Sequence, residues 1–157
     1  SLYKNLSTVL FVLILGFSIY SCDSATVTPS PEANTISGTV TFADTNFTFT
    51  GGYYDIAAFA TWPPTGPPQG DDSLVIVKNG NTYTASYKIA GLSDGNYVIA
   101  VGWRPVAGGQ SPVMGIYGCD TAHTSCAFAP SSVAITNSMG VENINFICWA
   151  DTSKKIF

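Results

Sequence analysis

Apolar and polar residues alternate along most of the chain after residue 35, and that alternation predicts strands. In Ile36-Ser-Gly-Thr-Val-Thr-Phe42, the residues Ile36, Gly38, Val40 and Phe42 fall on one side and Ser37, Thr39 and Thr41 on the other. A half-buried strand has that period of two. Residues 82–89 repeat it, with Tyr83, Ala85, Tyr87 and Ile89 opposed to Thr82, Thr84, Ser86 and Lys88. Residues 53–61 and 97–103 are strands too, the former more apolar. Shorter strands are expected over 73–78, 113–117 and 133–136. A closing strand over 141–149 places Ile144, Phe146 and Cys148 on one side and Asn143 and Asn145 on the other. Asn79-Gly-Asn81 is a hairpin signal. The proline-rich segment 62–70 fits no sheet interior, because proline donates no ladder hydrogen bond. After residue 22 there is no helical stripe of useful length. The expected fold is all-β: a single antiparallel β-sandwich of about seven or eight strands, or a small barrel, following an N-terminal signal helix.

The first 22 residues follow a different pattern. Lys4 precedes an apolar run that stops at a cysteine, Val9-Leu-Phe-Val-Leu-Ile-Leu-Gly-Phe-Ser-Ile-Tyr-Ser-Cys22. A basic start, a short apolar stretch and small residues before a cut describe a secretory signal. Ile19-Tyr-Ser-Cys22 resembles the lipobox of bacterial lipoproteins, which implies cleavage before Cys22 and acylation of its thiol. The alternative is a retained membrane helix. Leu6 to Tyr20 is 15 residues and contains Ser7, Thr8 and Ser18, whereas a span takes about 20 apolar residues. Either way the remainder lies outside the cytoplasm. The expected organisation is a signal over 1–21, a flexible polar tether over 22–34, and one domain over 35–157. The tether carries threonine, serine, proline and asparagine, which offer little to bury.

Composition narrows the function. Charged residues make up 10% of the chain, Lys+Arg number 6 and the formal net charge is −4. Without a basic patch there is no electrostatic footprint for nucleic acid. Within the strand pattern, Ile36-Ser-Gly-Thr-Val-Thr-Phe42 and Tyr87-Lys-Ile-Ala-Gly-Leu-Ser-Asp-Gly-Asn-Tyr-Val-Ile-Ala-Val101 resemble the transthyretin-like, carboxypeptidase-regulatory-type domains, as does the closing Val141-Glu-Asn-Ile-Asn-Phe146. The resemblance covers about residues 35–104 and the closing strand. It implies an immunoglobulin-like sandwich and an accessory, surface or adhesive role. The turn at 91–95 is explicable by itself: Gly91 and Gly95 allow backbone angles closed to other residues, Leu92 can plug the core, and the Tyr97 hydroxyl can reach a backbone carbonyl.

Candidate chemistry is sparse. Gly91-Leu-Ser-Asp-Gly95 matches the G-x-S-x-G nucleophile elbow, but that elbow needs a helix after its serine, and a strand is expected after Ser93. The single histidine, His123, would have to be the base. Cys119 and Cys126, seven apart around a polar loop, suit a local disulfide in an oxidising compartment. Cys148, on the face of Ile144 and Phe146, suits a buried free thiol, although pairing with Cys119 or Cys126 is open from spacing alone. Cys119, His123 and Cys126 lack the fourth ligand and the spacing of a zinc site. Asp71-Asp72-Ser73 and Asp44-Thr45-Asn46 carry oxygen ligands but suit solvated turns better than a calcium loop. No catalytic residue, metal or cofactor is expected. Tyr53, Tyr54, Trp62 and Trp103 are candidates for a flat sugar-stacking platform, with core packing as the alternative.

The sequence therefore points to a non-enzymatic envelope lipoprotein, held in the outer membrane or at the cell surface by the lipid on Cys22. Its expected role is structural, adhesive or accessory, with an envelope protein or polysaccharide as partner. Two alternatives are a carbohydrate-binding module using the loop aromatics, and a filament or fibre subunit exchanging strands at sheet edges.

Overall fold

The computed structural model describes residues 29–47, 51–119, 126 and 128–157. The expected signal over 1–21, the expected lipidation site Cys22, His123 and the first part of the expected tether lie outside the described residues. Described residues form nine strands: β1 (Ile36–Phe42), β2 (Gly52–Phe59), β3 (Gly70–Ser73), β4 (Val77–Asn79), β5 (Thr82–Ile89), β6 (Gly95–Pro105), β7 (Val113–Ile116), β8 (Val133–Ile135) and β9 (Phe146–Cys148). One sheet has the order β4-β5-β1-β9; the other has β3-β2-β6-β7, with β8 paired to the start of β6. Two sheets face to face over one core make a β-sandwich.

Alternation decides the four-stranded sheet as expected. Ile36, Val40 and Phe42 of β1 and Ala85, Tyr87 and Ile89 of β5 are buried, and the two strands pair antiparallel with Val40 opposite Ala85 and Ile36 opposite Ile89. Opposite them, Tyr54, Ile56 and Ala58 of β2 and Tyr97, Ile99, Val101 and Trp103 of β6 complete the core. Strands β2 and β6 also bury their other side: Val98, Ala100 and Ile116 form a second cluster with Cys119, packed against Phe59, Trp62, Val113, Cys126 and Ile156. A strand covered on both faces loses its period of two, which is why 53–61 is more apolar than β1 and β5 and lacks their alternation.

Three expectations change in detail. The run 73–78 is not one strand: β3 ends at Ser73, and the chain crosses through buried Leu74 to β4 in the other sheet. The closing strand 141–149 shrinks to Phe146–Cys148, because Asn143 adopts φ 62° and turns the chain. A Cβ on Gly38 would run into the Ile144 backbone, so that glycine is what lets the crossing segment lie close to β1. The sandwich is also not wholly antiparallel, since β9 pairs parallel to β1, Val40 opposite Phe146 and Phe42 opposite Cys148. The chain arrives at β9 from the opposite sheet by way of β8, and so enters at the same end as β1.

Both sides are then stitched. Asp72 Oδ2 accepts from the Lys88 amide at 2.9 Å, linking β3 to β5. On the opposite side the Trp149 amide donates to the Met114 carbonyl, while Val113 exchanges hydrogen bonds with Ile156 and Phe157. The end of the segment expected as a tether is docked. Asn34 donates to the Ser138 carbonyl, Leu92 donates to the Asn34 carbonyl, and Lys88 bridges to Glu32 at 2.7 Å.

Candidate functional site

The outer face of the five-stranded sheet holds a concave site, and its shape follows from side-chain size. Pairing places Ala57 opposite Ala100 and Asp55 opposite Gly102, with Ile116 and Val113 next in line on β7. Antiparallel partners share a face, so three small residues, Ala57, Ala100 and Gly102, make a low floor between bulkier neighbours. A Cβ on Gly102 would sit 3.2 Å from Asp55 Oδ1, so the glycine makes room for that carboxylate at the edge of the floor. Phe59, Trp62 and Pro64 rise at one end, Arg104 and Ser111 at the other, around a hollow of about 480 Å³ that includes its open mouth.

The aromatic wall comes from the proline-rich loop. Trp62 is partly buried, and its ring lies 5.8 Å from Phe59 and 5.8 Å from Phe157. The loop is held to β2 by Gln69, whose amide donates to the Ala58 carbonyl and whose Oε1 accepts from the Ala60 amide.

The polar end is an ion pair: Arg104 Nε donates to Asp55 Oδ2. The Asp55 side chain is 5% exposed and that of Arg104 40%. Burial pushes the Asp55 carboxyl above the usual carboxylate range. The Arg104 hydrogen bond and charge oppose that shift, and the Asp71 carboxylate adds to it. The guanidinium is held charged by the Asp55 hydrogen bond. A buried charge is tolerated only when paired and hydrogen-bonded. Asp55 is therefore a fixed acceptor against a fixed donor, with one hydrogen bond already committed between them.

The structure separates the four aromatics that are candidates for one platform, and packs two of them in the core. Tyr54 and Trp103 are 3% and 6% exposed. They meet edge to face inside the core at 4.8 Å, and the Tyr54 hydroxyl donates to the Ala150 carbonyl. They share strand parity with Ile56 and Val101, which fixes them inward. Tyr53 and Trp62 are on the outer side, Tyr53 half-exposed opposite Arg104 and Trp62 in the hollow's wall. Only Trp62 belongs to the concave site.

Cys119 and Cys126 are disulfide-bonded with a Cα–Cα separation of 5.7 Å. Cys148 is a buried free cysteine, and burial pushes its thiol far up. Ser93 lies in an exposed turn followed by β6, and its carbonyl accepts from the Tyr97 hydroxyl at 2.7 Å. The turn uses Gly91 at φ 74°, whereas Gly95 has no positive φ and opens β6. Asp71, Asp72 and Ser73 form the edge strand β3 instead of a turn. Asp44 accepts from the amides of Asn46 and Asp151 and pairs with Lys154 at 3.4 Å. Among the described residues no group of three His, Cys, Asp or Glu could hold a metal.

Asp55 and Arg104 escaped the sequence reading. The available signal was Asp55 itself, a carboxylate set in the apolar strand Tyr53-Tyr-Asp-Ile-Ala-Ala-Phe59. A charge in such a run is rarely buried without a partner. No family model, curated protein or solved structure matches the chain.

Proposed function

We propose that this chain is a non-enzymatic lipoprotein of the bacterial envelope whose β-sandwich, of the transthyretin-like kind, holds a partner at the hollow on its outer sheet. The observation that carries the binding role is the hollow itself: an aromatic wall and a satisfied ion pair converge on a floor of small residues. Concave, largely apolar sites with a few fixed polar groups are where ligands dock. The envelope location rests on the leader and on Ile19-Tyr-Ser-Cys22. Acylation of Cys22 by two or more chains would hold the domain durably, because a single chain binds only marginally.

Between the alternatives raised by the sequence, the position of Trp62 in the hollow's wall favours carbohydrate binding. Of the sheet edges that a filament subunit would use, β4 is a three-residue strand with exposed Val77. Metabolic labelling with a fatty-acid analogue, followed by membrane fractionation, tests the anchor. Labelled protein in the membrane fraction is expected, with both label and membrane attachment lost in Cys22→Ser. An unlabelled wild-type protein, or a Cys22→Ser protein still in the membrane, would overturn the lipoprotein reading.

A further inference from the structure

Resting on the reading of the hollow as a binding site, we infer that its occupant is a neutral sugar ring, stacked on Trp62 and hydrogen-bonded at the Asp55–Arg104 end. Three features select that class.

The wall is an aromatic held at a set angle. Trp62 is braced by tilted contacts with Phe59 and Phe157, each at 5.8 Å, while remaining partly open to solvent. A braced ring loses little freedom on binding, and its flat apolar surface suits a ligand with a C–H face.

The polar end is a donor and an acceptor already joined. An adjacent pair of sugar hydroxyls both donate and accept, so such a pair can bond to carboxylate and guanidinium together without separating them. Asp55 is almost fully buried. A group reaching it must shed water, and a hydroxyl replaces the lost bond where an apolar group would leave it unmade.

Charge excludes the ionic competitors. Asp55 and Arg104 cancel, and Asp71, which stands opposite Ala57 in the sheet, brings a carboxylate to the same face. That leaves an excess of negative charge beside the hollow, which opposes uronates and phosphates. A cation is opposed by Arg104 within the site.

The test is titration of the detergent-solubilised lipoprotein with glucan, mannan, xylan, galactan, polygalacturonate and choline, read by tryptophan fluorescence and affinity electrophoresis. Saturable binding of at least one neutral polysaccharide is expected. Trp62→Ala, which removes the ring and leaves the floor and the ion pair in place, should weaken that binding at least tenfold. Ala57→Leu, which fills the floor without removing a polar group, should do the same. Binding confined to polygalacturonate or choline overturns the inference, as does sugar binding that survives both substitutions. Failure to bind any sugar overturns it as well. Attachment of the purified lipoprotein to isolated envelope material separates this failure from that of the wider reading. If no sugar binds but Ala57→Leu abolishes attachment, the sugar class falls and the binding role stands. Attachment indifferent to Ala57→Leu removes the binding role too.

Discussion

Asp55 illustrates how one residue couples fold and site. Its folded pKa lies above the ordinary value of 3.8, so the folded protein binds that proton more tightly than the unfolded chain. Linkage then makes its contribution to stability greatest below pH 3.8 and smaller as pH rises through the folded pKa, with a plateau beyond. The wild type is therefore expected to lose stability relative to Asp55→Asn across that window, measured by urea unfolding at a series of pH values. Parallel stability profiles for the two proteins would refute this account of the pair. Cys148 makes a second statement at this scale. It is fully buried against Gly115, where a Cβ would collide with its own, and its thiol is held protonated. The thiolate is the nucleophile, so Cys148 is expected to ignore Ellman's reagent in native protein and to react on unfolding. Rapid labelling under native conditions would contradict that packing.

At the scale of elements, the two sheets are joined by close backbone approaches where glycine is required. Gly115 in β7 lies against Cys148 of β9, and the adjoining hydrogen bonds from Trp149 and to Phe157 continue the seam. Gly115→Ala is expected to destabilise the domain by about 1–3 kcal/mol through overpacking, seen as a lowered urea midpoint. An unchanged midpoint would mean that the seam yields freely. Two tyrosine hydroxyls pin backbone segments in place: Tyr87 donates to the Ile144 carbonyl at 2.7 Å from the core, and Tyr97 spans its own turn to Ser93. The second of these was readable in the sequence, because both partners lie within one short turn. The first was not, because 57 residues separate donor from acceptor.

For the whole molecule, the disulfide and the small outer cluster act together. Cys119 and Cys126 close a short loop and pack against the cluster that also contains Val98, Ala100 and Ile116. Replacing both by serine is expected to cost about 2–3 kcal/mol on the chain-entropy account. Comparing urea unfolding of the two proteins without reductant checks this, and equal midpoints would show that the link constrains nothing. The cluster backs the Trp62 wall, so the serine variant should also bind ligand less tightly.

Much of this was legible along the chain. Period-two alternation assigned β1 and β5 and their inward faces, because one side of each meets core and the other meets water. The short loop between Cys119 and Cys126 pointed to their pairing, and the Gly91–Leu92 turn was locally determined by a left-handed glycine and a core-seeking leucine. Tertiary structure decided the rest. Strands β2 and β6 are covered on both faces, so hydrophobicity could not say that Tyr54 and Trp103 point inward while Tyr53 points out. The hollow exists only because small residues from two strands distant in sequence fall side by side in register. Asp55 finds Arg104 for the same reason: 49 residues apart, they meet through strand pairing that no local pattern encodes.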